Sequence, residues 1–278
     1  MADPDISGTT LTAREKDRIL QLATQGRTSN LREVLQSLAE TKGRTVGQLI
    51  LEARDGLGLG ITHRAAETNK HAVIEMICED LGFPPGTRLA VLNDQGPAGR
   101  TAASIAAETN SDAVLRALIL GGASMLITDF FHSLPIHRAA MYQNTLAMNV
   151  LLALAGPANV GINVQTASGQ TALHLALSRG DTMRAGYLIR CGANVELQTA
   201  AGDTALHLSI PLWTQDNDDR AFNAMMHAYF MRIIDAPGSG PNGKANLRIP
   251  NNGGRSAGDI ALETGQLKAF NLIRAFGG

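Results

Sequence analysis

The tetrapeptide T-A-L-H occurs at 171–174 and again at 204–207, and the 33 residues separating His174 from His207 constrain this chain more than any other feature. Outward from that pair, His137 lies 37 residues before His174, Ser104 lies 33 before His137, His63 lies 41 before Ser104, and Asp259 lies 52 after His207. The segments around these positions read GLGITHRAAE, GRTAASIAAE, HSLPIHRAAM, GQTALHLALS, GDTALHLSIP and GRSAGDIALE. Self-similarity at such a period marks supersecondary units that cannot bury an apolar face alone and therefore stack on their neighbours. A stack has no single core, and its length is set by the number of units.

Helix chemistry accounts for each letter of a segment. Thr171 and Thr204 can accept a backbone N–H at a helix start, and the small residues behind them let one helix lie close against the next. Pro135 stands at a first-turn position, where its missing donor costs little. Ala102, Ala172, Ala205 and Ala257 fill that place elsewhere and are equally compatible with a helix. Gly180 breaks the chain between two antiparallel helices and Gly192 ends the second. Of all residues 44% are hydrophobic but only 4% aromatic, the Ala, Leu and Ile core that closely stacked short helices would use.

The period and the T-P-L-H-x-A spelling resemble the ankyrin repeat. The resemblance implies an all-α fold: an ankyrin-repeat solenoid of stacked antiparallel helix pairs with hairpin or loop fingers. Residues 1–54 would form an N-terminal helical cap, and 55–278 would carry units near 55–93, 94–128, 129–165, 166–198, 199–250 and 251–278. It also implies that His63, His137, His174 and His207 bond backbone groups and tie neighbouring units together. Asn93 and Asn163 occupy the post-helix position that is hydroxylated in some members of the family. Three departures stand out: Ser104 replaces the motif His, His132 stands at the motif Gly, and Leu134 at the motif Thr.

In the cap, Thr12 with Glu15 predicts a capping box before Ile19, Leu20, Leu22 and Ala23, and Asn30 with Glu33 predicts a second before Leu31, Val34, Leu35 and Leu38. Residues 45–53 predict a short third helix, and Arg14, Lys16, Asp17 and Arg18 a solvated face. The extra residues before the second unit, GFPPGTRLAVLNDQGPAG, predict a loop from their Pro and Gly. The fifth unit is interrupted by PLWTQDNDD, which puts Trp213 at the helix break. Phe222, Met225, Met226, Tyr229, Phe230, Ile233 and Ile234 then follow at helical spacing and read as core, and 236–254 as a connection too rich in Gly, Pro and Asn to pack. Ile260, Leu262, Leu267, Phe270, Leu272 and Ile273 would close the apolar end.

Sites for chemistry are scarce. Four of the seven His fall in the repeated slot, about one helix-packing distance apart, whereas zinc needs ligands about 2 Å from the ion. No metal, cofactor or catalytic residue is expected. G-x-S-x-G, H-E-x-x-H and phosphate-loop patterns do not occur, DGLGLG reads as a turn, and Ser104 near His137 belongs to the stacking network rather than to a nucleophile–base pair. A net charge of −1 gives no basic field for a phosphate backbone, so no direct nucleic-acid partner is expected. Cys78 and Cys191 read as buried thiols of a reducing compartment. No run is long and apolar enough to span a bilayer, and no apolar stretch follows a basic start. The expectation is a monomer in the cytoplasm or nucleus, or one delivered into a host cell, with no membrane partner.

What remains is recognition of another protein by a non-enzymatic adaptor or scaffold, through the face made of fingers and first helices. Phe130 and Phe131 sit on a finger where other units carry Ala167 with Ser168 or Ala200 with Ala201, and two adjacent rings on a loop tip are costly in water. The partner-binding residues expected on that inner face are Arg100, Phe130, Phe131, Ser133, Arg138, Met141, Tyr142, Gln170 and Asp203, with Trp213 at the rim. Two alternatives stay open. One is an enzyme or small-molecule pocket at the fifth unit, where Trp213, His207 and the 236–254 segment could converge. The other is a secreted effector or inhibitor of a host or pathway enzyme.

Overall fold

The computed structural model describes residues 9–79, 83, 86–212 and 247–275. Among them there is no β-strand, only two isolated bridges, and the chain gathers into two compact units. The N-terminal unit comprises Met1–Ala139 and Asn144–Val160, the C-terminal unit Ala140–Gln143 and Gly161–Gly278.

In the N-terminal unit the chain begins with helix α1 (Ala13–Gln25), started by the reciprocal Thr12–Glu15 box and ended by Gly26 at φ 73°. Helix α2 (Thr28–Lys42) starts earlier than Asn30 and Glu33 suggest: Gly26 turns the chain so tightly that Leu31 N–H already donates to the Arg27 carbonyl, and no side chain caps it. The short third helix is as expected: α3 (Val46–Glu52), boxed by Thr45 and Gln48. Two helix pairs follow, α4 (Ile61–Glu67) with α5 (His71–Cys78) and α7 (Ala102–Glu108) with α8 (Asp112–Leu120). The insertion between them is not all loop. Its TRLAVL run forms helix α6 (Thr87–Leu92), because Val91 and Leu92 find burial against α3 and α5. The cap is packed in register on the first pair, α1 on α4, α2 on α5 and α3 on α6. Helix α9 (Pro135–Met141) does begin at Pro135, and α10 (Thr145–Val150) runs on into a π-turn, Leu151–Ala155.

In the C-terminal unit α11 (Ala172–Ser178) pairs with α12 (Thr182–Arg190), α13 (Ala205–Ser209) packs on α11, and two closing helices, Ala257–Glu263 and Leu267–Ala275, pack on each other. Four first helices open on the expected small residue, Ala102, Ala172, Ala205 or Ala257, directly after Thr101, Thr171, Thr204 or Ser256, while the first helix of the 55–93 unit opens on Ile61 after Gly60. The turn between paired helices is left-handed each time, at Asn69, Asn110, Gln143, Gly180 and Gly265. The apolar end is closed less fully than expected. Ile273 is buried with Ala257, Ala261 and Ala269, whereas Leu262 and Leu267 are more than half exposed, since the small residues carry the helix contact. Trp213, the stripe from Phe222 to Ile234 and 236–246 lie outside the described residues.

Candidate functional site

Among the described residues six five-residue fingers, 55–59, 96–100, 129–133, 166–170, 199–203 and 251–255, share one backbone design. The first residue's N–H donates to the fifth residue's carbonyl, and the fourth residue's N–H donates back to the first carbonyl. That geometry puts the fourth residue at positive φ. Gly58, Gly99, Gly169, Gly202 and Gly254 accept this freely, but in the third finger it is His132 at φ 56°, where a side chain costs about 1–2 kcal/mol. The tip N–H groups need acceptors, and in four of the fingers the first residue's side chain supplies them. Asp55 Oδ1 accepts from Leu57 and Leu59, Asp129 Oδ1 from Phe131 and Ser133, Thr199 Oγ1 from Ala201 and Asp203, and Asn251 Oδ1 from Gly253 and Arg255.

Behind the fingers the repeated His is buried and structural. His63 Nδ1 accepts from Gly60 N–H at 3.3 Å while Nε2 meets the Arg100 carbonyl at 2.9 Å, one repeat onward. His207 does the same with Thr204 and the Arg255 carbonyl, at 3.2 and 3.1 Å. Burial holds all three of His63, His174 and His207 below the ordinary imidazole range, His174 at about 4. They are neutral at pH 7; His63 and His207 commit both ring nitrogens to backbone, while His174 Nδ1 accepts from Thr171 N–H at 3.1 Å and its buried Nε2 makes no hydrogen bond. Ser104, in the same slot, meets only Thr101, at 3.2 Å between hydroxyls. A second row of backbone straps comes from Gln95, Gln165 and Gln198. Each donates from Nε2 both to its own finger's Gly carbonyl and to the next repeat, at Thr128, Gln198 and Pro250 respectively. Among the described residues no group of three or more His, Cys, Asp or Glu could hold a metal ion. No described helix is long and apolar enough to cross a membrane.

This repeating cassette of capped helix, structural His, left-handed turn, second helix and finger agrees with the comparisons. The family described as Ankyrin repeats (3 copies) matches residues 136–219. Across 92% of the chain the structure is similar to the crystal structure of the ankyrin repeat domain of Bcl-3, described as a unique member of the IkappaB protein family, with TM-score 0.68, 19% identity and 97% of that chain covered. The fold is that of an ankyrin-repeat protein. No curated protein sequence matches the chain significantly.

The ankyrin fingers of the N-terminal unit present side chains. Phe130 is 75% exposed, Phe131 62%, and Leu57, on the first tip, 71%. The Phe130 ring lies over the second finger, so close that a Cβ on Gly99 would come within 2.8 Å of it, and Phe130 N–H donates to the Ala98 carbonyl at 2.9 Å. Other expected site residues of this unit are not free. Arg138 is only 13% exposed and turns its guanidinium back onto Asp129, which is fully buried, and towards Glu108 at 4.0 Å. Arg100 is paired with Glu108 in the same way. Ser133 is buried, not on the inner surface, because its N–H and carbonyl close the finger onto Asp129. In the first finger burial raises the Asp55 carboxyl, but the Leu59 and Leu57 amides and Arg64 outweigh it and hold it below the usual range.

The C-terminal unit's ankyrin fingers are zipped main chain to main chain. Ala200 N–H donates to the Ser168 carbonyl and Asn252 N–H to the Ala201 carbonyl, both at 3.0 Å. Of the expected site residues here, Tyr142 is exposed and Met141 half-buried, while Gln170 and Asp203 spend polar groups on their own fingers and on Asn251. Trp213 lies outside the described residues. Asn93 and Asn163 each accept a loop N–H, from Ser124 and Asn194. Leu57 escaped the sequence reading, although its alignment with Phe131 across the finger pattern D-G-L-G-L and D-F-F-H-S would have marked it.

Proposed function

We propose that the chain is a non-enzymatic protein-interaction module, an adaptor or scaffold that holds another protein against its ankyrin fingers. The observation that carries this reading is the Phe130–Phe131 tip: neither ring is tucked beneath its loop, and an ordered turn keeps both in water. Adjacent exposed aromatics are the usual affinity anchors of interfaces, and an already ordered scaffold forfeits little entropy on docking. An effector or inhibitor delivered to a host would act through the same contact and differ only in the partner. The pocket at the fifth repeat gains no support from His207, whose two ring nitrogens are both occupied by Thr204 and Arg255.

Affinity capture from native extract, comparing the wild type with Phe130→Ala/Phe131→Ala, tests this reading. Specific partners should be lost while the far-UV circular dichroism and melting curve stay unchanged. Partners retained by a folded double variant would overturn the site. Arg138 is left intact in this test because its removal strands the buried Asp129 carboxylate.

A further inference from the structure

The three tips of the N-terminal unit make one edge. Leu57, Phe130 and Phe131 are its exposed large apolar side chains, with Pro97 and His132 exposed beside them. The fingers between them are in contact, since a Cβ on Gly58 would lie 3.5 Å from Pro97 and one on Gly99 would strike Phe130. Side chains exposed to this degree leave roughly 400 Å² of apolar surface in water, at the size where such patches are functional. Every arginine on or beside these fingers is already neutralised within the unit. Arg54 bonds Asp94 at 2.6 Å, Arg64 pairs with Asp55 and with Glu67 at 2.7 Å, Arg100 with Glu108, and Arg138 with Asp129. Asp129 and its finger amides saturate each other as well. A charged partner segment would find each of these arginines and its carboxylate already paired and would have to break an internal pair to engage one.

We infer that the segment received by Leu57, Phe130 and Phe131 is uncharged and apolar, a stretch of aliphatic and aromatic side chains on a partner protein, and that no ion pair crosses the contact. This rests on the interaction reading above and specifies its chemistry. Complementarity in this case is a match of neutral to neutral. The fixed tip also means that the backbone carrying the rings needs no reordering on contact: the Phe130 N–H is bonded to the Ala98 carbonyl, and Asp129 holds the Phe131 amide.

The test uses the full chain and a panel of 12-residue synthetic peptides that vary independently in apolar content and net charge, with binding measured at 50 and 500 mM NaCl. Neutral peptides rich in Leu, Phe and Trp should bind, with dissociation constants moving less than about threefold across that range because there is no charge contact to screen. Leu57→Ser and Phe131→Ser should each weaken them tenfold or more. Met183→Ser, which removes an equally exposed side chain in the C-terminal unit, should not. Selective binding of charged peptides, with steep salt dependence and sensitivity to the finger variants, would overturn the inference and leave the interaction reading standing. Absence of any finger-dependent peptide binding would count against both. Self-association in sedimentation, abolished by the same two substitutions, would make a second copy the occupant and also overturn the inference. Circular dichroism of each variant confirms that loss of binding is not loss of fold.

Discussion

The two units place different side chains on one backbone turn. In the N-terminal unit finger tips carry Leu57, Phe130 and Phe131 outward and are braced from behind by arginine–carboxylate pairs. In the C-terminal unit the same positions hold Ala167, Ser168, Ala200, Ala201 and Asn252, and adjacent tips touch through their main chains, as Phe130 N–H also does with the Ala98 carbonyl in the N-terminal unit. A Cβ on Gly202 would fall 2.5 Å from Asn252 N, and one on Gly169 2.6 Å from Ala200 N; on Gly58 the nearest atom would be Pro97 Cγ at 3.5 Å. The main-chain bond between neighbouring fingers occurs in both units and is missing between the first two, where Pro97 has no N–H to give; what differs is the side chain each tip carries. Bulk at the tip adds presentation without removing cohesion, as the third finger shows.

The strongest way to break this contrast is Gly202→Ala against Gly58→Ala. Both place a side chain at positive φ, but only Gly202→Ala also collides with backbone, so it should cost about 4 kcal/mol and Gly58→Ala about 1 kcal/mol in urea unfolding. Equal costs would mean that the C-terminal fingers are not zipped. Acid sharpens the comparison next. His63, His174 and His207 have lowered pKa values in the folded state, so the unfolded chain binds more protons, and stability present above about pH 6.5 is lost as pH falls towards 4. His174, held near 4, accounts for about 3 kcal/mol of that loss. Asp94, 3.9 Å from His63 Nδ1, offsets part of the effect in the N-terminal unit and Asp203 does so for His174 and His207, but the C-terminal unit carries two of these three histidines, His174 among them. Amide exchange at pH 5 should therefore open the C-terminal unit first, and uniform protection would contradict it. The smallest expected difference is between two arginines. Arg138→Ala removes the partner of a buried carboxylate that keeps its amide bonds and should cost about 2 kcal/mol, while Arg255→Ala, whose pair with Glu263 is half exposed, should stay within about 0.5 kcal/mol by thermal melting.

The sequence was most legible where one residue type answers one backbone need. Thr or Ser before a first helix, a small residue opening it, a His three residues after the cap and Gly at the finger's fourth position could each be read singly, because each local demand has few solutions. Reading failed where two demands competed. Asn30 and Glu33 spell a capping box, but Gly26 had already set the start of the second helix. The Pro and Gly around TRLAVL suggested a loop because burial of Val91 and Leu92 is a tertiary event. At the site, exposure of Phe130 and Phe131 followed from their place on a tip. Arg138 and Ser133 were misplaced on the inner surface because nothing local reveals that Asp129, nine and four residues before them, turns back to hold both.

The Gln rungs make the block 166–198 self-compatible at both ends. Gln165 hands it over from the preceding repeat with the same two bonds by which Gln198 passes the chain onward. A duplicate of those residues spliced after position 198 would meet plug and socket as they stand, so molecules of this design can gain reach by copying rather than by redesign.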